Sequence, residues 1–257
     1  MPGMTVSPAE VARFDALAAG WWDPSGPMRP LHRMNPARVA WIVERIGAPP
    51  PPPNPLPRGD GGGSLNPQHS SASSHRLRLL DVGCGAGVAA EALARRGLDV
   101  LGLDAAGAAI EAARAHAEGQ NLPLAYRSGV AEDLLGEGAR FPVITALEVI
   151  EHVPDPAAFL ATLAALLAPG GRLFLSTLNR TPQSFLAAKV GAEYLLRWLP
   201  IGTHDWRRFI TPAELGALLR EVGLRVTDTA GLVVDPLTGR WTTGRNLSVN
   251  YLFAATA

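Results

Sequence analysis

The sequence predicts an α/β fold in which a largely parallel sheet carries helices on both faces. Two observations support this prediction. From residue 76 onward, short apolar runs alternate with stretches of helical periodicity. The glycine-rich turn DVGCGAG, residues 81–87, lies directly between the first apolar run and the first helical stretch. The chain has 257 residues, which is enough for one such domain with extra segments and too few to require two full domains.

The alternating pattern assigns the elements of this domain in order. Strands are predicted over residues 76–82, 98–104, 122–128, 143–149 and 171–177, and helices over 86–96, 106–119 and 157–168. Ligands of open α/β sheets bind outside the carboxyl ends of the strands. We therefore expect the functional residues of this chain at that edge.

Two further segments precede this domain, which we place at residues 75–257. Residues 1–47 predict helices over 8–20 and 36–47, with Pro8 and Pro36 each in a first helical turn. The loop WWDPSGPMRPLH between the two helices either packs on the domain or covers a ligand. Residues 48–74 are rich in Pro, Gly and Ser and offer little apolar surface to bury, so they predict a disordered insertion.

Composition excludes several classes of protein. The chain has 23 Lys plus Arg and 23 Asp plus Glu, so no net positive field attracts nucleic acid, and we expect no such partner. The single cysteine, Cys84, cannot form an intramolecular disulfide, which is consistent with a reducing compartment. The first residues lack the pattern of a secretory or transit signal, and no apolar run reaches the ~18 residues that cross a bilayer. A cytoplasmic location is expected.

The glycine turn points to an adenosyl ligand. Gly83, Gly85 and Gly87 alternate as G-x-G-x-G, and no glycine completes the dinucleotide pattern G-x-G-x-x-G. Asp104 ends the second strand, where a carboxylate can accept both hydroxyls of a ribose. These features predict a binding site for S-adenosylmethionine.

Two more residues belong to this predicted site. Glu132 follows the third strand, where adenine would lie, and Leu147 stands at the mouth of the fourth strand. An NAD-dependent oxidoreductase would share Asp104 but lacks support from the glycine spacing. A non-enzymatic scaffold that recruits partners through the Pro-rich segment is a further alternative.

Two carboxylates and an imidazole follow the fourth strand in ALEVIEHVPDP, residues 146–156. If residues 148–152 form a helical turn, Glu148 shares a face with Glu151 and His152 through the i,i+3 and i,i+4 spacings. A bound Mg²⁺ would relieve the repulsion between the carboxylates and favour an ionised acceptor oxygen. Alternatively, His152 alone removes the acceptor proton as a general base. The sequence leaves both interpretations open, and these three residues are its candidate catalytic groups.

Several blocks resemble the class I S-adenosylmethionine-dependent methyltransferases, and in particular those that O-methylate intermediates of ubiquinone biosynthesis. The blocks are FDALAAGWWDPSGPMRPLHRMNPAR, LLDVGCGAG, GLD, EVIEHVPDP, PGGRLFLSTLNRT, VGAEYLLRWLPIGTHDWRRFITPAEL and VNY. The resemblance covers nearly the whole chain outside residues 48–74. It implies the Rossmann-like class I fold with about seven strands, and O-methylation of a polyprenylated catechol or demethylubiquinol.

The resemblance also implies roles for individual residues. Contact with the methyl donor is implied for Arg38, Gly83, Asp104 and Leu147, beside the neighbouring Gly85 of the same turn. Binding of a divalent cation is implied for Glu148, Glu151 and His152. A metal-free enzyme acting on a small phenol, with His152 as the base, is the alternative.

A polyprenylated substrate resides in a bilayer, so peripheral membrane contact is expected. Residues 184–199 combine apolar and aromatic side chains with Lys189 and Arg197, which suits contact with anionic head groups; alternatively they form an ordinary helix over the active site. We predict a lid around residues 180–212. From this expected membrane contact we predict a peripheral location on the inner face of the inner membrane, or on the matrix side of the mitochondrial inner membrane in a eukaryote. Association with other ubiquinone-biosynthesis proteins is also expected.

Overall fold

The computed structural model describes residues 6–47, 76–185, 206–235 and 237–257. The predicted insertion at 48–74 and most of the predicted lid, residues 186–205, lie outside the described residues. No helix within the described ranges is long and apolar enough to span a bilayer.

The described residues form eight strands and eight α-helices. The strands are β1 Arg78–Val82, β2 Asp99–Asp104, β3 Leu124–Ser128, β4 Phe141–Leu147, β5 Leu167–Leu178, β6 Arg225–Val234, β7 Trp241–Gly244 and β8 Asn250–Thr256. The helices are α1 Pro8–Leu17, α2 Arg29–Ile46, α3 Val88–Ala94, α4 Gly107–Ala117, α5 Ala131–Gly136, α6 Pro156–Leu166, α7 Pro182–Ser184 and α8 Pro212–Glu221. Short 3₁₀ turns occupy Ala18–Gly20, Ile150–His152 and Trp206–Arg208.

All eight strands join one sheet in the order β3-β2-β1-β4-β5-β8-β6-β7. The five strands β1 to β5 pair in parallel, whereas β8 pairs antiparallel with β5 and β6, and β7 pairs antiparallel with β6. This confirms the predicted mostly parallel α/β fold. The strand count is one above the expected seven because the chain turns back after β6 and adds β7 at the sheet edge.

The sheet has a hydrophobic core on each face. Leu79 and Leu80 of β1 are both fully buried and point to opposite faces, since successive strand residues alternate. Leu79 belongs to the cluster that includes residues of α2 and α3, whereas Leu80 belongs to the cluster that includes residues of α5, α6 and α8. The adjacent apolar residues Leu79 and Leu80 are explained by this two-sided burial.

The start of the second N-terminal helix differs from the prediction. Helix α2 begins at Arg29 instead of residue 36, so Pro36 lies inside the helix and the first turn contains Pro30. Pro30 is tolerated there because the first N–H groups of a helix have no partner. Pro36 removes one helical hydrogen bond, but the buried side chains of Trp41 and Ile42 anchor the helix on the sheet.

Candidate active site

The carboxyl ends of β1, β2 and β4 open into one cavity of about 590 Å³. Helix α1 and the loop that follows it form the facing wall. Most of the residues that the sequence singled out line this cavity: Arg38, Gly83, Gly85, Asp104, Leu147, Glu148, Glu151 and His152. The structure therefore brings these candidate residues together at the carboxyl ends of the strands.

The glycine turn has a backbone that other residues would not adopt readily. Gly83, Gly85 and Gly87 have φ angles of 68°, 54° and 90°, in the left-handed region. A Cβ on Gly85 would lie 2.3 Å from the Trp21 ring, and one on Gly87 would lie 2.0 Å from the Tyr126 hydroxyl oxygen. Because these glycines have no side chain, the backbone of the turn lies directly beside the cavity, Trp21 and Tyr126.

Asp104 is fixed at the end of β2 by backbone donors. Its Oδ2 accepts the N–H of Gly85 at 2.7 Å, and its Oδ1 accepts the N–H of Ala106 at 2.8 Å. Burial raises the pKa of Asp104, while these two hydrogen bonds oppose the rise. Each carboxylate oxygen has a second lone pair, so Asp104 can also accept hydroxyl groups of a ligand.

Asp81 is a site residue that the sequence analysis missed. It lies in β1, is 1% exposed, and accepts a hydrogen bond from the Thr145 hydroxyl at 2.6 Å on Oδ1. Its Oδ2 is buried and has no partner among the described residues. Burial raises the pKa of Asp81 to about 6, against the Thr145 hydrogen bond and the charge of Arg38. A carboxylate between the apolar residues Leu80 and Val82, two residues before Gly83, was the signal that could have identified it.

Arg38 brings a buried positive charge to the same cavity. It is 3% exposed, and its Nε donates to Asn35 Oδ1 at 2.9 Å; Asn35 in turn donates to the carbonyl of Val88 at 2.8 Å. Burial lowers the pKa of Arg38, whereas the nearby carboxylates of Glu148 and Asp81 raise it. Arg38 is thus held against the first turn of α3.

Glu148 and Glu151 form a pair, but not through the predicted helical turn. The 3₁₀ turn begins only at Ile150, and Glu148 has a φ of 57°, which is uncommon for a residue with a side chain. In this conformation the Glu148 N–H donates to the carbonyl oxygen of Ser176 in β5 at 3.0 Å. The Ser176 hydroxyl in turn donates to Glu148 Oε1 at 2.7 Å.

The environment of this pair disfavours two negative charges. Burial raises the pKa of both carboxyl groups, and for Glu151, which also feels the charge of Glu148, to about 7. Glu151 accepts a hydrogen bond from the Thr177 hydroxyl at 2.9 Å. The pKa of each carboxyl group also responds to the presence of the other.

His152 has a hydrogen-bond partner in helix α1. Its Nδ1 lies 3.2 Å from Oε2 of Glu10 in α1, and its ring meets the Phe14 ring edge-on at a centroid distance of 5.3 Å. Burial opposes protonation of His152, but the hydrogen bond to Glu10 and the carboxylates of Glu151, Glu10 and Glu148 raise its pKa overall. The same hydrogen bond lowers the pKa of Glu10. The sequence analysis also missed Glu10, because nothing local links residues 142 positions apart.

The expected convergence of Glu148, Glu151 and His152 on one metal ion is therefore not found. Within the described parts of the chain, no three His, Cys, Asp or Glu side chains are arranged to hold a metal. The physical reason is the positive φ of Glu148, which removes it from the helical face, together with the pairing of His152 with Glu10.

The two adjacent tryptophans have different environments. Trp22 donates from Nε1 to the Ala86 carbonyl at 2.9 Å and stacks on the His116 ring at a centroid distance of 3.4 Å. Trp21 is 5% exposed and lines the cavity beside Gly85. The loop therefore packs on the domain and also borders the cavity.

One predicted residue lies outside the wall. The wall at the end of β3 is formed by Gly129, Val130 and Ala131, and Glu132 is not among the described residues that line the cavity. Leu147 lies at the mouth of β4 and is 8% exposed.

Solved structures place this architecture among methyltransferases. Magnesium protoporphyrin IX methyltransferase from Synechocystis PCC 6803, with bound S-adenosylhomocysteine, matches with a TM-score of 0.57 at 19% identity, over 88% of this chain and 82% of that one. A methyltransferase from Thermotoga maritima described as a possible histamine N-methyltransferase matches with a TM-score of 0.59 at 16% identity, over 95% and 97%. Identities this low show the shared fold alone.

The family model described as a methyltransferase domain matches residues 31–229. The protein is therefore an S-adenosylmethionine-dependent methyltransferase.

Closer relatives define the family. A ubiquinone biosynthesis O-methyltransferase of Cereibacter sphaeroides is 48% identical over 252 residues, covering 98% of this chain and 96% of the relative. The proteins of the same name from Methylobacterium sp. and Dinoroseobacter shibae are 46% and 47% identical, each with 98% and 96% coverage. The chain belongs to the ubiquinone biosynthesis O-methyltransferase family.

Proposed function

We propose that this protein transfers the methyl group of S-adenosylmethionine to a hydroxyl oxygen of a polyprenylated catechol or demethylubiquinol. The observation that carries the proposal is the single cavity in which the glycine turn and Asp104 lie beside His152 and the Glu148–Glu151 pair. A donor site and a group able to take a proton are the two parts that O-methylation requires.

The residues on the β1 and β2 side suit the methyl donor. Asp104 has lone pairs left for ribose hydroxyls, and the bare glycine backbone leaves room for the amino acid part of the donor. The buried Oδ2 of Asp81 has no partner among the described residues and matches a cationic amino group, while Arg38 offers a positive charge for a carboxylate. Leu147 contributes apolar surface at the mouth of β4.

The residues on the β4 side suit the acceptor. A catechol hydroxyl is a poor nucleophile until its proton leaves, and His152 lines the cavity with its Nδ1 already paired to Glu10. In the proposed step, Nε2 of His152 takes the proton as the oxygen attacks. When bound, S-adenosylmethionine would supply the electrophilic methyl group, with both electrons of its carbon–sulfur bond left on sulfur. General base catalysis of this kind contributes about 10²–10⁴ in rate.

Magnesium belongs to a competing version of the proposal. Glu148, Glu151 and His152 would be its ligands, and a bound cation would stabilise the ionised catechol oxygen. The hard oxygen donors suit Mg²⁺, but the described arrangement supplies only the carboxylate pair, so we route no step through the ion. Methyl transfer measured after chelation, and again after adding Mg²⁺, separates the versions: loss and recovery of activity would favour the cation, whereas undiminished activity would remove it.

The proposed function is tested by a methyl-transfer assay with a short-tailed prenyl catechol and with a prenyl phenol that lacks the second hydroxyl. We expect methylation of the catechol. Failure to methylate either acceptor, in protein that binds S-adenosylmethionine by calorimetry, would refute the proposed acceptor class while leaving the donor site intact.

A peripheral membrane role for residues 184–199 is part of the proposal, because a prenylated acceptor resides in the bilayer. Of this segment only residues 184 and 185 are described, and Phe185 has an exposed side chain that meets Trp206 edge-on. Flotation with vesicles containing anionic lipid tests it. Absence of binding with and without anionic lipid would refute membrane contact but not methyl transfer.

A further inference from the structure

The cavity extends to an apolar wall that α2 and the β6–β7 hairpin build together. Five of its lining residues form what we call the hairpin wall: Leu31 and Met34 of α2, and Leu232, Val234 and Trp241 of the hairpin. We propose that the hairpin wall binds the first isoprene units of the acceptor's polyprenyl tail, and that the rest of the tail leaves the protein beside Val234. Because this site serves the acceptor, it rests on the proposed function.

The residues of the hairpin wall form one continuous surface. Leu31 and Met34 are three positions apart on α2 and therefore lie on one side of the helix. Leu232 and Val234 alternate along β6, and Val234 is the cross-strand partner of Trp241, so these three side chains lie on one face of the hairpin. Met34 and Leu232 belong to the same buried cluster, against which Leu31 and Trp241 pack.

Exposure rises along this wall toward the hairpin turn. Leu232 is 3% exposed, whereas Val234, two residues later, is 43% exposed and still lines the cavity. A cavity of about 590 Å³ has the size of a site for one drug-sized ligand, so the donor and a catechol ring leave room for only the first part of a long tail. The remaining isoprene units have to leave the cavity, and Val234 marks a place where its apolar lining meets solvent.

The charges around the cavity favour this path over one along α1. Helix α1 contributes Glu10 and Arg13 to the lining, and contact with hydrocarbon would remove water from both groups. By contrast, none of the cavity-lining residues described within 27–34 and 232–250 is charged. Transfer of isoprene units from water to such a surface is favourable.

Residues 246–250 connect the hairpin wall to the β4 side of the cavity, where the acceptor ring is proposed to bind. Asn250 Nδ2 donates to Glu148 Oε1 at 3.5 Å. At the other end of this segment, the carbonyl oxygen of Asn246 lies against Gly231 of β6 and leaves no room for a Cβ there. Four residues of the segment line the cavity: Asn246, Ser248, Val249 and Asn250. A ring beside Glu148 can therefore extend its tail to the hairpin wall within one cavity.

Contacts at two places hold the hairpin against α2. Arg45 of α2 donates from Nε to Asp228 of β6 at 2.6 Å. Arg33 packs over Gly239 in the hairpin turn so closely that a Cβ on this glycine would lie 2.9 Å from Arg33 Nη1. The hairpin wall is thus preformed, and a tail that binds to it does not have to order the hairpin first.

Methyl-transfer kinetics with catechols of increasing tail length test the hairpin wall. For the native protein, kcat/KM should rise from the unprenylated catechol to catechols with one, two and three isoprene units. Val234→Asp places a charge against the tail, so kcat/KM for the longest acceptor should fall by about 10-fold or more, while the value for the unprenylated catechol stays native. Leu237→Asp is the matched control, because Leu237 is 95% exposed in the hairpin turn and is not among the residues that line the cavity.

Three outcomes of these measurements would overturn the inference. The first is a native dependence on tail length in Val234→Asp. The second is an equal loss in Leu237→Asp, which would assign the effect to the outer surface of the hairpin. The third is an equal loss for unprenylated and prenylated catechols in Val234→Asp. Val234→Thr keeps the shape of Val and replaces one methyl group by a hydroxyl, so it should show a smaller loss of the same kind without damage to the fold.

Photochemical labelling locates the tail without any turnover. A catechol whose third isoprene unit carries a photoreactive diazirine is irradiated with the protein and S-adenosylhomocysteine, and mass spectrometry identifies the labelled residues. We expect label on the hairpin wall; absence of label there, or label confined to α1, would overturn the inference. If the probe labels the hairpin wall but the native protein methylates no catechol, the proposed function fails and the tail site stands. Methylation without label on the hairpin wall has the opposite meaning.

Discussion

The contact between Trp21 and the glycine turn predicts strong coupling between two substitutions. In Gly85→Ala the new Cβ would lie 2.3 Å from Trp21 Cζ2 and 2.8 Å from Cη2, whereas carbon atoms in contact are about 3.5–4.0 Å apart. The indole ring would have to move by on the order of 1 Å. Trp21 is 5% exposed and packs against Phe14, so such a movement disturbs the wall of the cavity.

The expected magnitudes follow from this geometry. An Ala at a φ of 54° costs about 1–2 kcal/mol in backbone energy, and overpacking a buried site costs about 1–3 kcal/mol more. Gly85→Ala should therefore lower the free energy of unfolding by about 2–5 kcal/mol. Trp21→Ala alone should cost about 3–5 kcal/mol. In the double variant the clash is absent, so its cost should be smaller than the sum by about 1–3 kcal/mol.

Urea unfolding of the native protein, the two single variants and the double variant measures this coupling. Gly119→Ala is the matched control, because Gly119 also has a positive φ, 75°, but an added Cβ there meets nothing within 4 Å. That substitution should cost about 1–2 kcal/mol and be additive with Trp21→Ala. Additivity of Gly85→Ala and Trp21→Ala to within about 0.5 kcal/mol would refute the steric reasoning.

Three further predictions concern other contacts of the site. Asp104→Ala removes the carboxylate to which two backbone N–H groups donate. Binding of S-adenosylmethionine, measured by calorimetry, should therefore weaken at least tenfold. Native affinity would show that Asp104 does not hold the donor. The folded-state pKa of Asp81, about 6, lies above its ordinary value of 3.8, so its contribution to stability is complete below pH 3.8 and is lost as the pH rises through 6. The Asn side chain of Asp81→Asn cannot ionise, so between pH 3.8 and 6 the free energy of unfolding of this variant should rise relative to that of the native ligand-free protein, by up to roughly 3 kcal/mol. Unfolding measured at several pH values tests this. A difference between the two proteins that does not change with pH would contradict burial as the cause of the raised pKa. Trp22→Phe keeps an aromatic ring against His116 but loses the hydrogen bond to Ala86, so urea unfolding should show a loss of about 0.5–1.5 kcal/mol; an unchanged midpoint would indicate that this hydrogen bond adds nothing to stability.

The sheet and the β1 and β2 side of the cavity were predictable from the sequence because they depend on local patterns. Buried parallel strands show as apolar runs, and the G-x-G-x-G turn fixes both its own conformation and its place between β1 and α3. Asp104 follows from the same logic, since the ends of neighbouring parallel strands meet at one edge. The exact start of α2 was not predictable, because tertiary packing of Trp41 and Ile42 compensates for Pro36 inside the helix.

The β4 side of the cavity was harder to predict because it depends on long-range contacts and on one unusual backbone angle. The spacing of Glu148, Glu151 and His152 suggested one helical face, but the positive φ of Glu148 breaks that periodicity. The contact from Glu10 to His152 joins α1 to the turn after β4, and no sequence pattern connects these two segments. Asp81 was visible in LLDV, but it becomes a candidate only through its buried Oδ2, which has no partner among the described residues.

The order of the strands affects how the polypeptide can mature. Strand β8 follows β6 and β7 along the chain, yet it lies between β5 and β6 and hydrogen-bonds to both. Before residues 250–256 are synthesised, the facing edges of β5 and β6 have backbone N–H and C=O groups without strand partners. Such exposed edges promote aggregation and chaperone binding. Premature stop codons that remove even this last stretch should therefore be far more damaging than their small size suggests, and a split-protein reporter could be built by supplying β8 as a separate peptide.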